Sequence, residues 1–66
     1  MNLVLNDEPF EAPAGATVAS LLVALKLHEQ RVAVELNKEV VPRQQHEAAM
    51  LREGDCLEIV TLVGGG

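Results

Sequence analysis

Apolar and polar residues alternate along this chain with two different periods, and the changes of period divide it into elements. In "MNLVLNDEPFEA", Met1, Leu3 and Leu5 fall on one face of an extended segment, with Asn2, Val4 and Asn6 on the other. Asn6-Asp7 is turn chemistry and Pro9-Phe10-Glu11 returns as a short edge strand, so the chain opens on a predicted hairpin. "APAGA" interrupts the pattern as a loop. From Val18 the period lengthens: Val18, Leu21, Leu22 and Leu25 recur at i, i+3, i+4 and i+7, behind Thr17, a residue suited to an N-cap. The spacing predicts a helix over 18–27 with a single apolar stripe, and places Lys26 and His28 favourably for the dipole at its C-terminal end.

Period two resumes at Val32, Val34 and Leu36. Asn37-Lys38 is predicted to turn the chain into Val40-Val41, and Pro42, which lacks a ladder donor, ends that return strand. Residues 43–49 read as irregular or a single turn before Met50-Leu51. Gly54-Asp55 is a turn, and 56–62 is the last strand. The order is β-β-α-β-β-β, with one helix that can cover one face of one sheet. The expected class is therefore α+β, a mixed sheet of four or five strands with the helix packed on one side. The helical crossover can join parallel strands, and the last strand can lie between the others.

At 66 residues the chain is one small domain, and its 48% hydrophobic content supports a single core. Cys56 is the lone cysteine, so no intramolecular disulfide or cysteine-rich metal site is available, which fits a reducing, cytoplasmic setting. No run is long enough for a membrane span, and no basic-then-apolar start suggests a targeting segment. A formal net charge of −5 disfavours nucleic acid, and Phe10 alone offers no stacking platform. The charge favours a protein partner with a basic face.

Catalytic readings find little support. Cys56 follows Gly54-Asp55 among acids that disfavour a thiolate, and reads as a small residue at a strand start. His28 and His46 lack ligand spacing and read as surface residues. Glu35, Glu39, Glu53, Asp55 and Glu58 alternate with apolar residues, as a solvated sheet face would. What remains is the end of the sequence, "EIVTLVGGG". Glycine orders at the largest entropic cost and has no side chain to pack. Gly64, Gly65 and Gly66 are therefore either a frayed or engineered end, or a substrate arm. Such an arm, free of Cβ atoms, can thread a narrow channel and bring its carboxylate to a nucleotide.

"TVASLL", "VAVELNKEVVPR", "EGDCLEIV" and the terminal "VGGG", in this order and spacing, resemble the sulfur-carrier family of thiamine biosynthesis (ThiS), ubiquitin-like β-grasp proteins. The resemblance spans essentially the whole chain, and no single piece of it is diagnostic. It implies a β-grasp domain over 1–62 and a flexible reactive tail over 63–66. It further implies that Gly66, with Gly65 behind it, is adenylated by an E1-like adenylyltransferase using ATP and magnesium. Sulfur drawn from cysteine through a desulfurase then gives a thiocarboxylate, which thiazole synthase consumes. On this reading the chain is a co-substrate, monomeric when free, with no active site, cofactor or metal of its own. Family members often carry an aromatic residue where this chain has Leu62, and a polar or charged one where it has Cys56. The small subunit of molybdopterin synthase, a ubiquitin-like modifier and a plain interaction module remain as alternatives.

Alternation in the last strand sets Leu57, Ile59 and Thr61 on one face and Glu58, Val60 and Leu62 on the other. If the single helix covers Leu57 and Ile59, then Val60 and Leu62 are directed to the uncovered side. Val4 joins them if the first and last strands are neighbours, as β-grasp topology implies. Val4, Val60, Leu62, Val63 and Gly64 are the expected partner-binding residues.

Overall fold

The computed structural model describes residues 1–62. Its elements are β1 (Asn2–Leu5), β2 (Glu8–Glu11), α1 (Val18–Ala24), β3 (Val32–Leu36), β4 (Glu39–Val40), a 3-10 turn (Arg43–Gln45) and β5 (Cys56–Thr61). They form a five-stranded sheet in the order β2-β1-β5-β3-β4. The β1–β5 pair is parallel and the others are antiparallel, so the last strand lies at the centre.

Both hairpins close with two-residue turns, Leu5 pairing Glu8 and Leu36 pairing Glu39. The turn residues Asn6, Asp7, Asn37 and Lys38 all have φ between 50° and 71°. Turns of this kind follow the right-handed twist of the strands and need positive φ at both central positions, which asparagine tolerates. The two asparagines also brace β5. The Asn6 Oδ1 accepts the Ile59 N–H at 2.8 Å and its Nδ2 donates to the Ile59 carbonyl at 3.2 Å. That amide continues the ladder where β1 has ended. The Asn37 Oδ1 accepts the Cys56 N–H at 3.0 Å, and its own N–H donates to the Cys56 carbonyl at 2.7 Å.

Helix α1 starts where Thr17 predicts. The Thr17 Oγ1 accepts the Ser20 N–H at 3.1 Å and the Ser20 Oγ accepts the Thr17 N–H at 2.8 Å, a reciprocal capping box. The segment after β4 supplies two further acceptors: the Ala49 carbonyl takes the Val18 N–H and the His46 carbonyl takes the Ala19 N–H. Donors that every helix N-terminus leaves free are thus satisfied from outside. Seven residues are too few for a helix to persist alone, and this one is held by packing. Val18, Leu21 and Leu22 are buried with Leu3, Val34, Leu51, Leu57 and Ile59 in one core on a single face of the sheet.

The helix stops at Ala24, three residues before the sequence predicts. Lys26 takes φ 61°, the Leu27 N–H donates to the Leu22 carbonyl at 2.8 Å, and the Lys26 N–H to the Val23 carbonyl at 3.0 Å. These two bonds are the Schellman closure, with lysine where glycine usually sits. The cause lies in Leu27. At roughly 100° per residue, a continued helix would carry it to nearly the opposite side from the Val18–Leu25 stripe. Reversing the chain at Lys26 instead lets Leu27 pack on the core. Lys26 and His28 consequently follow the helix and are not in its last turn. Lys26→Gly is expected to raise the unfolding free energy by about 0.5–1 kcal/mol, since a left-handed conformation costs a residue with a Cβ about 1–2 kcal/mol and glycine's greater unfolded-state freedom offsets part of the gain. Chemical denaturation of the two proteins checks this, and a loss of stability would contradict it.

Two other sequence expectations change. His46 is buried, at 8% exposure, with its Nε2 3.0 Å from the Val41 carbonyl. The signal was weak because the anchoring carbonyl belongs to backbone whose position only the fold sets. Glu53 and Asp55 do not lie on a solvated sheet face. The Glu53 Oε1 accepts the Asn2 N–H at 2.9 Å, and the Asp55 Oδ2 accepts the Arg52 N–H at 2.8 Å, so both fasten the loop that leads into β5.

Candidate functional site

The alternation of β5 decides what the uncovered face presents. Leu57 and Ile59 are buried under α1, at 1% and 7% exposure; Val60 points away at 58%, and Leu62, just past the strand, is 50% exposed and borders a cleft with Leu22 and His46. Neither Val60 nor Leu62 contributes to the core, and contiguous exposed aliphatics on a small domain mark a contact surface. Ala33 of β3 lies directly opposite Val60 and extends the patch. The Leu62 N–H donates to the Arg31 carbonyl at 2.8 Å, so the last described residue is still tied to the sheet. The patch therefore sits on backbone tied to β3 and to Arg31 before it, immediately before residues 63–66. Val63, Gly64, Gly65 and Gly66 lie outside the described residues.

Val4 does not join this patch. Strands β1 and β5 are neighbours, but their parallel register sets Val4 opposite Cys56, at the far end of β5 from Leu62. Four residues of strand, about 13 Å, separate Cys56 from Val60, and the exposed Glu58 lies between them. Val4 is 37% exposed and borders a separate depression with Cys56, Asp7, Glu35, Lys38 and Glu58. Topology alone placed Val4 correctly on the uncovered face; only the register shows which end it occupies. Ala33 was missed for the same reason, since its pairing with Val60 is not written in either segment.

The chemistry available on the described residues is limited. Their depressions measure about 120–200 Å³, below the ~300–1,000 Å³ typical of small-molecule sites. Among the described residues no three His, Cys, Asp or Glu side chains are grouped to hold a metal ion, and no helix is long and apolar enough to cross a membrane.

Cys56 opens β5 as an exposed free thiol, its Sγ 3.9 Å from the Gly54 carbonyl. With no thiol burial to lose, Cys56→Ser is expected to shift stability by less than about 0.5 kcal/mol, a smaller effect than a strand-start cysteine packed in the core would give. Chemical denaturation of the two proteins checks this, and a larger loss would show the thiol to be packed.

Comparison with known proteins bears on the whole chain. The ThiS family model matches residues 3–66. The sequence is 46% identical over 66 residues to a thiazole synthase of Magnetococcus marinus, covering all of this chain and 20% of that protein. It is 30% identical over 66 residues to the sulfur carrier protein ThiS of Escherichia coli, with both chains fully covered. The crystal structure of the thiamine biosynthesis protein ThiS from Geobacter metallireducens superposes with a TM-score of 0.84 at 38% identity, again covering both chains fully. The chain spans about a fifth of the length of the thiazole synthases it matches.

Proposed function

Because the chain belongs to the ThiS family, we propose that it is a sulfur carrier of thiamine biosynthesis whose working atom is the terminal carboxylate of Gly66. A carboxylate is a poor electrophile. An E1-like adenylyltransferase, holding ATP and magnesium, would let a Gly66 carboxylate oxygen attack the α-phosphorus and expel pyrophosphate. The resulting acyl-adenylate has AMP as a good leaving group. A persulfide sulfur, formed from cysteine by a desulfurase, would displace AMP to give an acyl disulfide, whose S–S bond a thiol reductant would then cleave to leave the thiocarboxylate. Thiazole synthase then takes the sulfur, and the carboxylate is regenerated.

The part assigned to the described residues is docking. Val60 and Ala33 lie on a sheet face that no other element among the described residues covers, and exposed Leu62 follows at its end. Buried there against a partner, they would hold the domain while Gly64, Gly65 and Gly66, with no Cβ atoms to obstruct, enter a narrow channel. The observation that carries the proposal is this juxtaposition: an exposed aliphatic patch with no folding role stands directly before a glycine terminus to which the family match extends. A thiazole-synthase partner is supported by two proteins of that name that contain a segment similar to this whole chain, in Magnetococcus marinus and Paramagnetospirillum magneticum.

The test is to incubate the protein with an E1-like adenylyltransferase, ATP, magnesium, a cysteine desulfurase, cysteine and a thiol reductant, and to measure intact mass. The expected product has one oxygen replaced by sulfur, and fragmentation confines the replacement to Gly66. Adenylation without sulfur transfer, or isopeptide-linked products in its place, would reject the carrier reading.

A further inference from the structure

The chain carries five Lys and Arg residues against ten Asp and Glu, yet its cations are not evenly spread. At the Leu62 end of the sheet lies a cleft of about 140 Å³ lined by Arg31 and Arg43, with His28, His46, Leu22 and Leu62, and by no carboxylate. Three of the ten carboxylates, Asp7, Glu35 and Glu58, line the separate depression beside Val4, with Lys38 among them. The basic groups come from three separate segments. His28 follows α1, Arg31 immediately precedes β3, and Arg43 and His46 belong to the 3-10 turn and its cap. Two are anchored through backbone: the Arg31 carbonyl accepts the Leu62 N–H at 2.8 Å, and the Arg43 carbonyl accepts the His46 N–H at 3.2 Å.

We propose that this cleft receives a carboxylate, an Asp or Glu side chain of thiazole synthase at the rim of the channel that residues 63–66 enter. The inference rests on the docking reading above. Two magnitudes select the ligand. The cleft lies well below the ~300 Å³ lower bound of small-molecule sites, so it suits a side-chain carboxylate and not a nucleotide. Inserted in extended form into a channel, four residues would span up to about 14 Å, which would take a phosphate attached to Gly66 away from groups around Leu62. What stands at Leu62 while the glycines are inserted is the channel's rim. Arginine offers a forked donor set that matches a carboxylate. The basic lining attracts an acidic rim residue and so favours one class of partner side chain at this position.

Binding of the full chain to thiazole synthase, titrated at low and high salt, tests this. The exposed pair change Arg31→Gln with Arg43→Gln is expected to weaken binding roughly ten- to hundred-fold at low salt. The gap should narrow as salt rises, and Arg31→Lys with Arg43→Lys should recover part of the loss. Native amide spectra of the variants confirm the fold. Unchanged affinity of the glutamine pair, with Leu62→Asp still failing to bind, overturns the cleft and leaves the docking surface standing. A wild-type chain that does not bind thiazole synthase overturns both. Saturable shifts at Arg31 and Arg43 with inorganic phosphate alone, at affinities that compete with the enzyme, would make this a free-anion site and likewise overturn the proposal.

Discussion

Deleting Gly66, or adding residues after it, is expected to abolish ATP-dependent adenylation while the domain stays folded. The two halves of the expectation have different sources. Loss of activity follows from the chemistry: adenylation consumes a free carboxylate at one position, and a shortened or extended arm presents that group at the wrong depth or not at all. Positioning errors of about one ångström at a reacting centre can cost on the order of a hundredfold, and one residue is about 3.3–3.6 Å of extended chain. Retention of the fold follows from the core, which is composed of Leu3, Ala12, Ala16, Val18, Leu21, Leu22, Val34, Leu51, Leu57 and Ile59. Pyrophosphate release with the adenylyltransferase measures the first half, and thermal unfolding the second. Normal adenylation of a chain extended beyond Gly66 would remove the terminal carboxylate from the mechanism.

The double change Val60→Asp with Leu62→Asp is expected to leave stability within about 1 kcal/mol of wild type and to eliminate binding to the adenylyltransferase and thiazole synthase. Both side chains are at least half exposed, and neither belongs to the core cluster. The folded state therefore loses little when they are replaced. In a complex the same positions would be desolvated, and two unpaired carboxylates buried against an apolar partner face would be strongly unfavourable. Where such an aliphatic side chain acts as an interface hot spot, its loss costs about 2 kcal/mol or more, a reduction in affinity on the order of thirtyfold. Glu58, on the same face, already adds a negative charge beside the patch, so the new acids also repel it. Calorimetric titration of each partner reads the outcome. Unfolding of the variant would show these residues to be core, and unaltered binding would place the partners elsewhere. Val4→Asp supplies a control within the same sheet face, because the register puts it beside Cys56. It is expected to weaken binding far less than the change at Val60 and Leu62.

Much of this protein was written locally. The period-two runs at Met1–Leu5, Val32–Leu36 and Cys56–Leu62 became strands, and Val18, Leu21 and Leu22 became the buried stripe of the helix. Thr17 capped that helix through its own hydroxyl, and the Asn6-Asp7 and Asn37-Lys38 pairs turned their hairpins with positive φ. Each of these outcomes depends on residues within a few positions of one another, so the sequence determines them with little help from the rest of the chain. The direction of Val60 belongs here too, since strict alternation within β5 must send it opposite to Leu57 and Ile59. Contacts between distant segments decided the remainder. Helix α1 ended early because Leu27 gains more by packing on the core than by continuing a helix that would turn it to water. His46 became buried because the Val41 carbonyl and the start of α1 came together around it. Val4 separated from Val60 because the parallel register of β1 on β5 is set by which side chains fit beneath the helix, and by the Asn6 amide that takes over where β1 stops. The basic cleft of His28, Arg31, Arg43 and His46 has no counterpart in any local motif, because three segments contribute to it and only the folded sheet brings them to one end.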